Sequence, residues 1–365
     1  MTQAKFLKRV DDLLGPSLCR AFSQPQSLEE YPLLESLEGP VLVIRPGGIG
    51  DAVMLLPMLA ALRETLPERK VDLLCESRNA DVLKLADAGL TLLKYDTEPL
   101  RVLRHLRTTR YAAVLDSEQY HHFSGVLAAW TRAPARVGFK INTKRNALYT
   151  HLVSYDLEGP EDVQFGRLLW ALLGVEGRLP PKQGLLSGAD FPALPEALNR
   201  TLAADEPLAV VHAGASVPEK CWPLERYIDL CRRLELEHGL RPVLVGGSRD
   251  KLFAERIAAE CAPRIVNTCG TLALGQTAAL CRRARVFIGP DSGIAHLTSA
   301  VGTAGVVLFG PSDPAKWGPG GQGRVVQHLV PCGPCAIFGY NKPCRTYACM
   351  VGIGVEDVLA AVGSV

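Results

Sequence analysis

The chain has 365 residues, 47% apolar and 21% charged, with a formal net charge of +2. That length suits two domains with sizeable cores, and the near-neutral balance gives no ground for nucleic-acid binding. No apolar run approaches the roughly 20 residues that cross a bilayer, and Asp11 and Asp12 interrupt the N-terminal stretch as a signal peptide, so a cytoplasmic protein is expected.

Residues 1–38 are expected to hold a helix with Phe6, Leu7, Val10, Leu13 and Leu14 on one stripe, then a polar linker. The stripe either packs on the body or, aided by Lys5, Lys8 and Arg9, meets a membrane interface. From position 41, short β-branched or leucine-rich runs alternate with longer amphipathic segments. "VLVIR" precedes "DAVMLLPMLAALRETL", "VDLLCE" precedes "ADVLKLAD", and "YAAVLDS" follows a segment with Leu100, Leu103 and Leu106 at helical spacing. This alternation predicts βαβ units and a parallel sheet covered on both faces. The Pro- and Gly-rich stretch 177–207 breaks the rhythm and reads as a connection with a short helix. A second series follows, with strands in "PLAVVHAG", "RPVLVGGS", "RIVNTCG", "ARVFIGP" and "AGVVLFGP". The expectation is an α/β protein with two doubly wound, Rossmann-like domains, 39–185 and 186–350, and a C-terminal helix at 351–365. Ligands would bind at the carboxyl ends of the strands.

The chemistry-bearing residues cluster at those strand ends. "RPGGIGDAVMLLP" supplies Gly47, Gly48 and Gly50 for a tight turn and close approach to the backbone. It is neither GxGxxG nor a P-loop, and Asp51 sits where a phosphate binder wants no negative charge. Asp51 reads as a helix N-cap or as an acid facing a ligand. "VVHAGASVPEKCWPLERY" offers small residues, Ser216 and Lys220 before a helix, an anion pocket or an exposed loop lysine. "VLVGGSRD" puts Gly246 and Asp250 at a turn, for a ribose contact or a cap. In "GPDSGIAHLTSAVGT", Asp291 is a candidate N-cap, and the N–H groups of Ser292 and Gly293 face whatever sits above. His296 is either structural or part of an anion site.

Together these stretches resemble, in type, order and spacing, the family 9 glycosyltransferases, the lipopolysaccharide heptosyltransferase group, over roughly residues 40–360. The resemblance implies a GT-B fold, with the acceptor on the first domain and the nucleotide-sugar donor on the second. It implies an inverting transfer of heptose from ADP-heptose with no cofactor needed for catalysis. Asp51 then matches the general base, Lys220 the lysine on the donor diphosphate, and Asp291 to His296 the donor loop. Gly48 and Gly50 match the loop where the sugars approach. Ser216 stands where relatives often carry a phosphate-binding threonine, and Asp250 near an acidic residue on the nucleoside. The chemistry agrees: a carboxylate takes the acceptor proton, and a lysine with oriented N–H groups stabilises the leaving diphosphate without a divalent ion.

Between Pro99 and His151 nine Lys/Arg face only Asp116 and Glu118. The run includes Arg101, Arg104, Arg107, Arg136, Lys140 and Arg145, and reads as a solvated face or as a patch for an acidic acceptor. From the resemblance, the acceptor expected there is one such as a phosphorylated or Kdo-bearing lipopolysaccharide core; anionic lipid headgroups of the inner membrane's cytoplasmic face are the alternative occupant of the patch. Of eleven cysteines, seven are scattered in apolar surroundings. Cys332, Cys335, Cys344 and Cys349 crowd into C-x₂-C-x₈-C-x₄-C, a candidate structural zinc or iron site, or reduced thiols, or disulfides. In the resembled family, a protein-modifying heptosyltransferase branch carries a comparable iron-binding cluster. That leaves a protein hydroxyl as an alternative acceptor, and a non-catalytic nucleotide-sugar-binding protein as an alternative of another class.

Overall fold

The computed structural model describes residues 3–23, 34, 37–87, 89–337, 340, 341 and 343–365. The chain divides into two compact units, Met1–Pro180 and Pro181–Val365. The division falls before the boundary expected at 185/186 because the connecting segment is tied to the second unit. Lys182 Nζ donates to the Gly318 carbonyl at 3.0 Å, Gly184 N–H to Ser299 and Leu186 N–H to Ala300.

In the first unit the strands are β1 (Val41–Arg45), β2 (Val71–Cys75), β3 (Thr91–Lys94), β4 (Ala113–Asp116), β5 (Ala135–Phe139) and β6 (His151–Val153). They form one parallel sheet in the order β3-β2-β1-β4-β5-β6. Every residue of β1, β2, β4 and β5 is buried, as continuous apolar runs require in a sheet covered on both faces. The helix after β1, α2 (Ile49–Thr65), departs from the amphipathic expectation. Its residues Ala52 to Leu59 are all buried, because the segment is apolar all round and helices Ser77–Ala86 and Glu161–Leu173 pack against it.

The N-terminal helix α1 (Gln3–Phe22) packs on the helix His122–Trp130; of the expected stripe, Val10 is half-buried, while Leu13 and Leu14 depart from it. Leu13 and Leu14 face outward, while Asp11, Gly15 and Cys19 face inward. A Cβ on Gly15 would sit 2.5 Å from the His122 Cβ, so the helices approach closely at a glycine, with Leu18 and Phe22 packing beside Cys19. The side chains of Lys5, Phe6 and Leu7 lie outside the described residues.

The second unit repeats the design with β7 (Leu208–Val211), β8 (Arg241–Leu244), β9 (Val266–Asn267), β10 (Val286–Pro290), β11 (Ala304–Phe309) and β12 (Arg324–Gln327). Its order, β12-β11-β10-β7-β8-β9, is that of the first sheet when counted from each unit's own first strand. The sequence reading missed β12, whose outer residues are exposed. The C-terminal helix Val355–Val362 belongs to this unit's core: it packs on Leu224–His238, and Trp222 Nε1 donates to the Ile353 carbonyl. In each sheet the strand order reverses beside the first strand, between β1 and β4 and between β7 and β10. Such switch points leave a crevice at the carboxyl ends of the two strands. No helix among the described residues is long and apolar enough to cross a membrane.

Candidate active site

The crevice of the first unit is built by the loops after β1 and β4. β1 ends at Arg45, and Gly47 (φ +117°) turns the chain so that Gly48 caps α2. Only glycine fits at 47: beyond the backbone angle, a Cβ would sit 2.6 Å from Asp51 Oδ2. The tight turn moves Asp51 to the third helical position, so it is not the N-cap expected. Its Oδ2 instead accepts the Gly48 N–H at 2.7 Å, and Oδ1 lies 3.3 Å from Arg45 Nη2. One third of the Asp51 side chain stays exposed. Gly50 is already inside the first turn of α2.

After β4 come residues that the sequence reading did not single out as site candidates. Ser117 donates its hydroxyl to the Ile44 carbonyl, tying the two loops together. Glu118 is buried and accepts the N–H groups of Tyr120 and His121. Burial works to raise its pKa, but Arg45, His121, the Tyr120 N–H and Arg145 together outweigh that and hold the carboxyl below the usual range. Glu161 is buried too, accepting from Gln119 and Tyr155. The available signal was position alone: "DSEQ" ends the strand across the switch point from β1.

The basic run divides under packing. Arg101 and Arg104 are exposed on helix Pro99–Thr108, Arg101 paired with Glu98, and Lys140 is exposed after β5. Arg107 lies over the Trp130 ring. Arg136 departs from the surface expectation: it is buried, with Nε donating to the Leu148 carbonyl and Nη1 to Ala133. Arg145 is fully buried too. Its Nη2 meets Asp116 Oδ2 at 2.6 Å, the same oxygen that accepts the Tyr149 hydroxyl. Both arginines are structural cations, so the accessible patch is thinner than the sequence count suggests.

In the second unit the loops after β7, β8 and β10 converge. Asp291, expected as a cap, is a buried hub instead, because Ser292 takes the N-cap of helix Gly293–Ala300 and bonds the Ala295 N–H. Lys220, on the turn Pro218–Lys220, places Nζ 2.5 Å from Asp291 Oδ2. That oxygen also accepts the Ser312 hydroxyl, and Oδ1 lies 3.3 Å from His296 Nε2. Burial would raise the Asp291 pKa, but His296 and Lys220 outweigh it and hold the carboxyl far below its usual range. Burial pushes His296 below the ordinary histidine value, against the pull of Asp291.

His212, at the end of β7, was not singled out from sequence, yet it ties the loops together. Its Nδ1 is 3.1 Å from Ser292 Oγ and its Nε2 is 3.6 Å from Asp250 Oδ2. Asp250 in turn accepts the Gly247 N–H, as a turn cap would. It rests against Gly214 and Gly246, where an added Cβ would sit 2.1 and 2.7 Å from its carboxylate oxygens. Ser216 is exposed in the loop before Lys220. Gly293 opens a helix whose N-terminal N–H groups and dipole favour an anion beside the lysine.

The four clustered cysteines are described with no ion between them. Cys332, Cys335, Cys344 and Cys349 are free thiols, and among the described residues no three of their sulfurs lie within 4.8 Å of one another. A tetrahedral thiolate set needs all four around one ion, so an ion there would have to draw the sulfurs together, and no catalytic step is assigned to a metal. Cys344 Sγ accepts the Tyr347 N–H at 3.3 Å; this and the Thr346 N–H hold the thiol below its usual range. Of the scattered cysteines Cys221 is exposed, contrary to the apolar expectation, since it follows the Lys220 turn.

Residues 100–345 match the sequence model of "Glycosyltransferase family 9 (heptosyltransferase)". Lipopolysaccharide heptosyltransferase 3 of Escherichia coli is 24% identical over 295 residues, covering 74% of this chain and 83% of that protein. Among solved structures, E. coli ADP-heptose LPS heptosyltransferase II shares the fold with a TM-score of 0.70 and 20% identity, over 89% of this chain and 98% of that one. The iron-containing dodecameric glycosyltransferase TibC of enterotoxigenic E. coli H10407 shares it with a TM-score of 0.57 and 16% identity, over 90% and 78%.

Proposed function

The chain belongs to glycosyltransferase family 9, the heptosyltransferases, and from that membership we propose that it moves a heptose from ADP-heptose to a hydroxyl of a lipopolysaccharide core, with inversion. The fold is GT-B and the chain is a glycosyltransferase. The observation that carries the donor half is the Lys220–Asp291–His296 cluster beside the N-terminus of helix Gly293–Ala300. A fixed ammonium and oriented N–H groups are what a leaving diphosphate needs.

The acceptor oxygen attacks the anomeric carbon from the face opposite the diphosphate. Asp51 takes its proton, the bond from the anomeric carbon to the β-phosphate oxygen breaks, and ADP leaves with its charge on Lys220 and the donor-loop N–H groups. Ser292 and Gly293 hold phosphate oxygens, with Ser216 beside them, and Gly48 and Gly50 give the sugars clearance. Gly246 and Asp250 line the nucleoside. On the acceptor side the exposed Arg101, Arg104 and Lys140 meet acidic groups of the core and of the inner-membrane surface. Arg136 is left out of that set because its guanidinium is enclosed.

Asp51→Asn tests the reading. Turnover is expected to fall about 10²- to 10⁴-fold, measured as ADP release with a core-oligosaccharide acceptor. The thermal shift produced by ADP-heptose is expected to persist. Normal turnover by the variant would remove Asp51 as the base. Transfer of labelled heptose to protein hydroxyls but not to the oligosaccharide would overturn the acceptor assignment.

A further inference from the structure

One buried cation of the first unit has been given no role in the transfer. Arg45 ends β1 and is 3% exposed. Its Nε donates to the Pro46 carbonyl at 2.8 Å and its Nη1 to Ser117 at 2.7 Å, and the guanidinium lies 5.1 Å from the centre of the Phe165 ring. Nη2 remains, and it faces Asp51 Oδ1 at 3.3 Å. Burial works to discharge the guanidinium, but Asp51, Glu118, Glu161 and Asp116 outweigh it and hold it above its ordinary range. Arg45 is thus anchored on three sides by groups other than Asp51, while Asp51 is a partly exposed side chain on a short stem.

We propose that Arg45 is a positioning residue for the transfer, clamping Asp51 in the one rotamer that presents its carboxylate to the acceptor hydroxyl. The proposal rests on Asp51 being the base. The two contacts, Arg45 on Oδ1 and the Gly48 N–H on Oδ2, fix both oxygens yet use only half of the roughly four acceptor directions of a carboxylate. The remaining directions are free to take a proton. Arg45 Nη2 is thus directed at a carboxylate that reaches solvent, not at an enclosed one. Lysine cannot substitute fully, because one ammonium cannot hold the Pro46 and Ser117 carbonyls and Asp51 in a fixed fork.

The test is a double-mutant cycle of Arg45→Met and Asp51→Asn in the full chain. ADP release gives kcat and the KM of each substrate, and melting temperature is followed in parallel. Arg45→Met is expected to lower kcat by about 10²-fold, the cost of misplacing a reacting group by about an ångström, with the donor KM within about threefold. In the Asp51→Asn background the same change is expected to cost nothing further. An equal loss in both backgrounds, or an unchanged kcat, would overturn the proposal. Wild-type turnover by Asp51→Asn alone would instead sink the base reading, whatever Arg45 does. If Arg45→Met does not fold, the cycle runs with Arg45→Lys, which keeps the buried charge. There a loss of about tenfold confined to the Asp51 background is expected, and a loss equal in both again overturns the idea.

Discussion

At the scale of single residues, the candidate site is a set of charges whose meaning depends on burial. Asp291 and Asp51 both follow strand ends and both open helices in the sequence, yet they do different work. Asp291 is enclosed and holds Lys220, Ser312 and His296 in place, whereas Asp51 keeps part of its carboxylate in solvent. His296 carries a testable consequence. Its pKa is lowered by burial, with the charges of Lys182 and Lys220 adding to the shift and Asp291 opposing it. The folded state therefore binds fewer protons at this site than the unfolded chain, and stability rises with pH. The contribution is fully present above the unfolded value of about 6.5 and is lost as pH falls below it toward the folded pKa, by at most about 1.4 kcal/mol per pH unit. Between pH 7.5 and 5.5 the wild type is expected to lose melting temperature relative to His296→Gln. Parallel curves for the two proteins would show that His296 is not held neutral.

At the scale of elements, the instructive case is the docking of α1. Its outward leucines do little; a buried carboxylate does the specific work. Asp11 accepts the N–H groups of His122 and Phe123, satisfying the orphan donors that open helix His122–Trp130, and also meets His122 Nδ1 at 3.0 Å. Burial would raise its pKa, but the bond with His121 and these N–H groups lower it to about 2. A depressed carboxyl contributes above its unfolded pKa of about 3.9, so the full effect is present at neutral pH and fades only as pH falls toward 2. Asp11→Ala is expected to destabilise the first unit by about 1.5–3 kcal/mol, read from denaturant melts at pH 7. A change under 0.5 kcal/mol would mean that α1 is held by its apolar contacts with Val126, Ala129 and Leu148. Together with His121, Asp11 and Asp12 form the one converging set of three metal-type donors among the described residues. The N–H groups already on Asp11 give that set a structural explanation.

At the scale of the whole molecule, one strand order is used twice, and each copy has its own core. The second unit encloses Trp222, Tyr227, Leu230, Ile257, Ile288 and Leu308 without residues from the first. Every donor-side candidate except Gly48 and Gly50 also lies within it. Residues 181–365 produced alone are therefore expected to melt cooperatively, and ADP is expected to raise their melting temperature, as binding to a folded state must. A fragment that melts without cooperativity, or folds without answering to ADP, would count against a donor site built by this unit alone. Much of this level was legible beforehand. The alternation of strand-sized and helix-sized apolar segments predicts two parallel sheets, since a strand buried on both faces must be apolar throughout. Edge strand β12 escaped because only Val326 of its four residues is buried, so the run carries no continuous apolar signal.

What the sequence determined by itself was local and periodic: the βαβ rhythm, the glycine turns at strand ends, and the combination of motifs that marks the family. Asp51, Lys220, Asp291 and His296 could be singled out because each stands at a fixed offset from a strand or a helix start. Only the tertiary structure decided which charges are enclosed. Arg45, Arg101, Arg136 and Arg145 are alike as letters. One faces Asp51, one faces solvent, and two are sealed among carbonyls and Asp116. Desolvation depends on groups brought from far along the chain, as Ser117 is to Arg45, and no window of neighbouring residues contains them. The same holds for the four cysteines: their spacing permits a common ion, but where the fold sends each sulfur decides whether they meet.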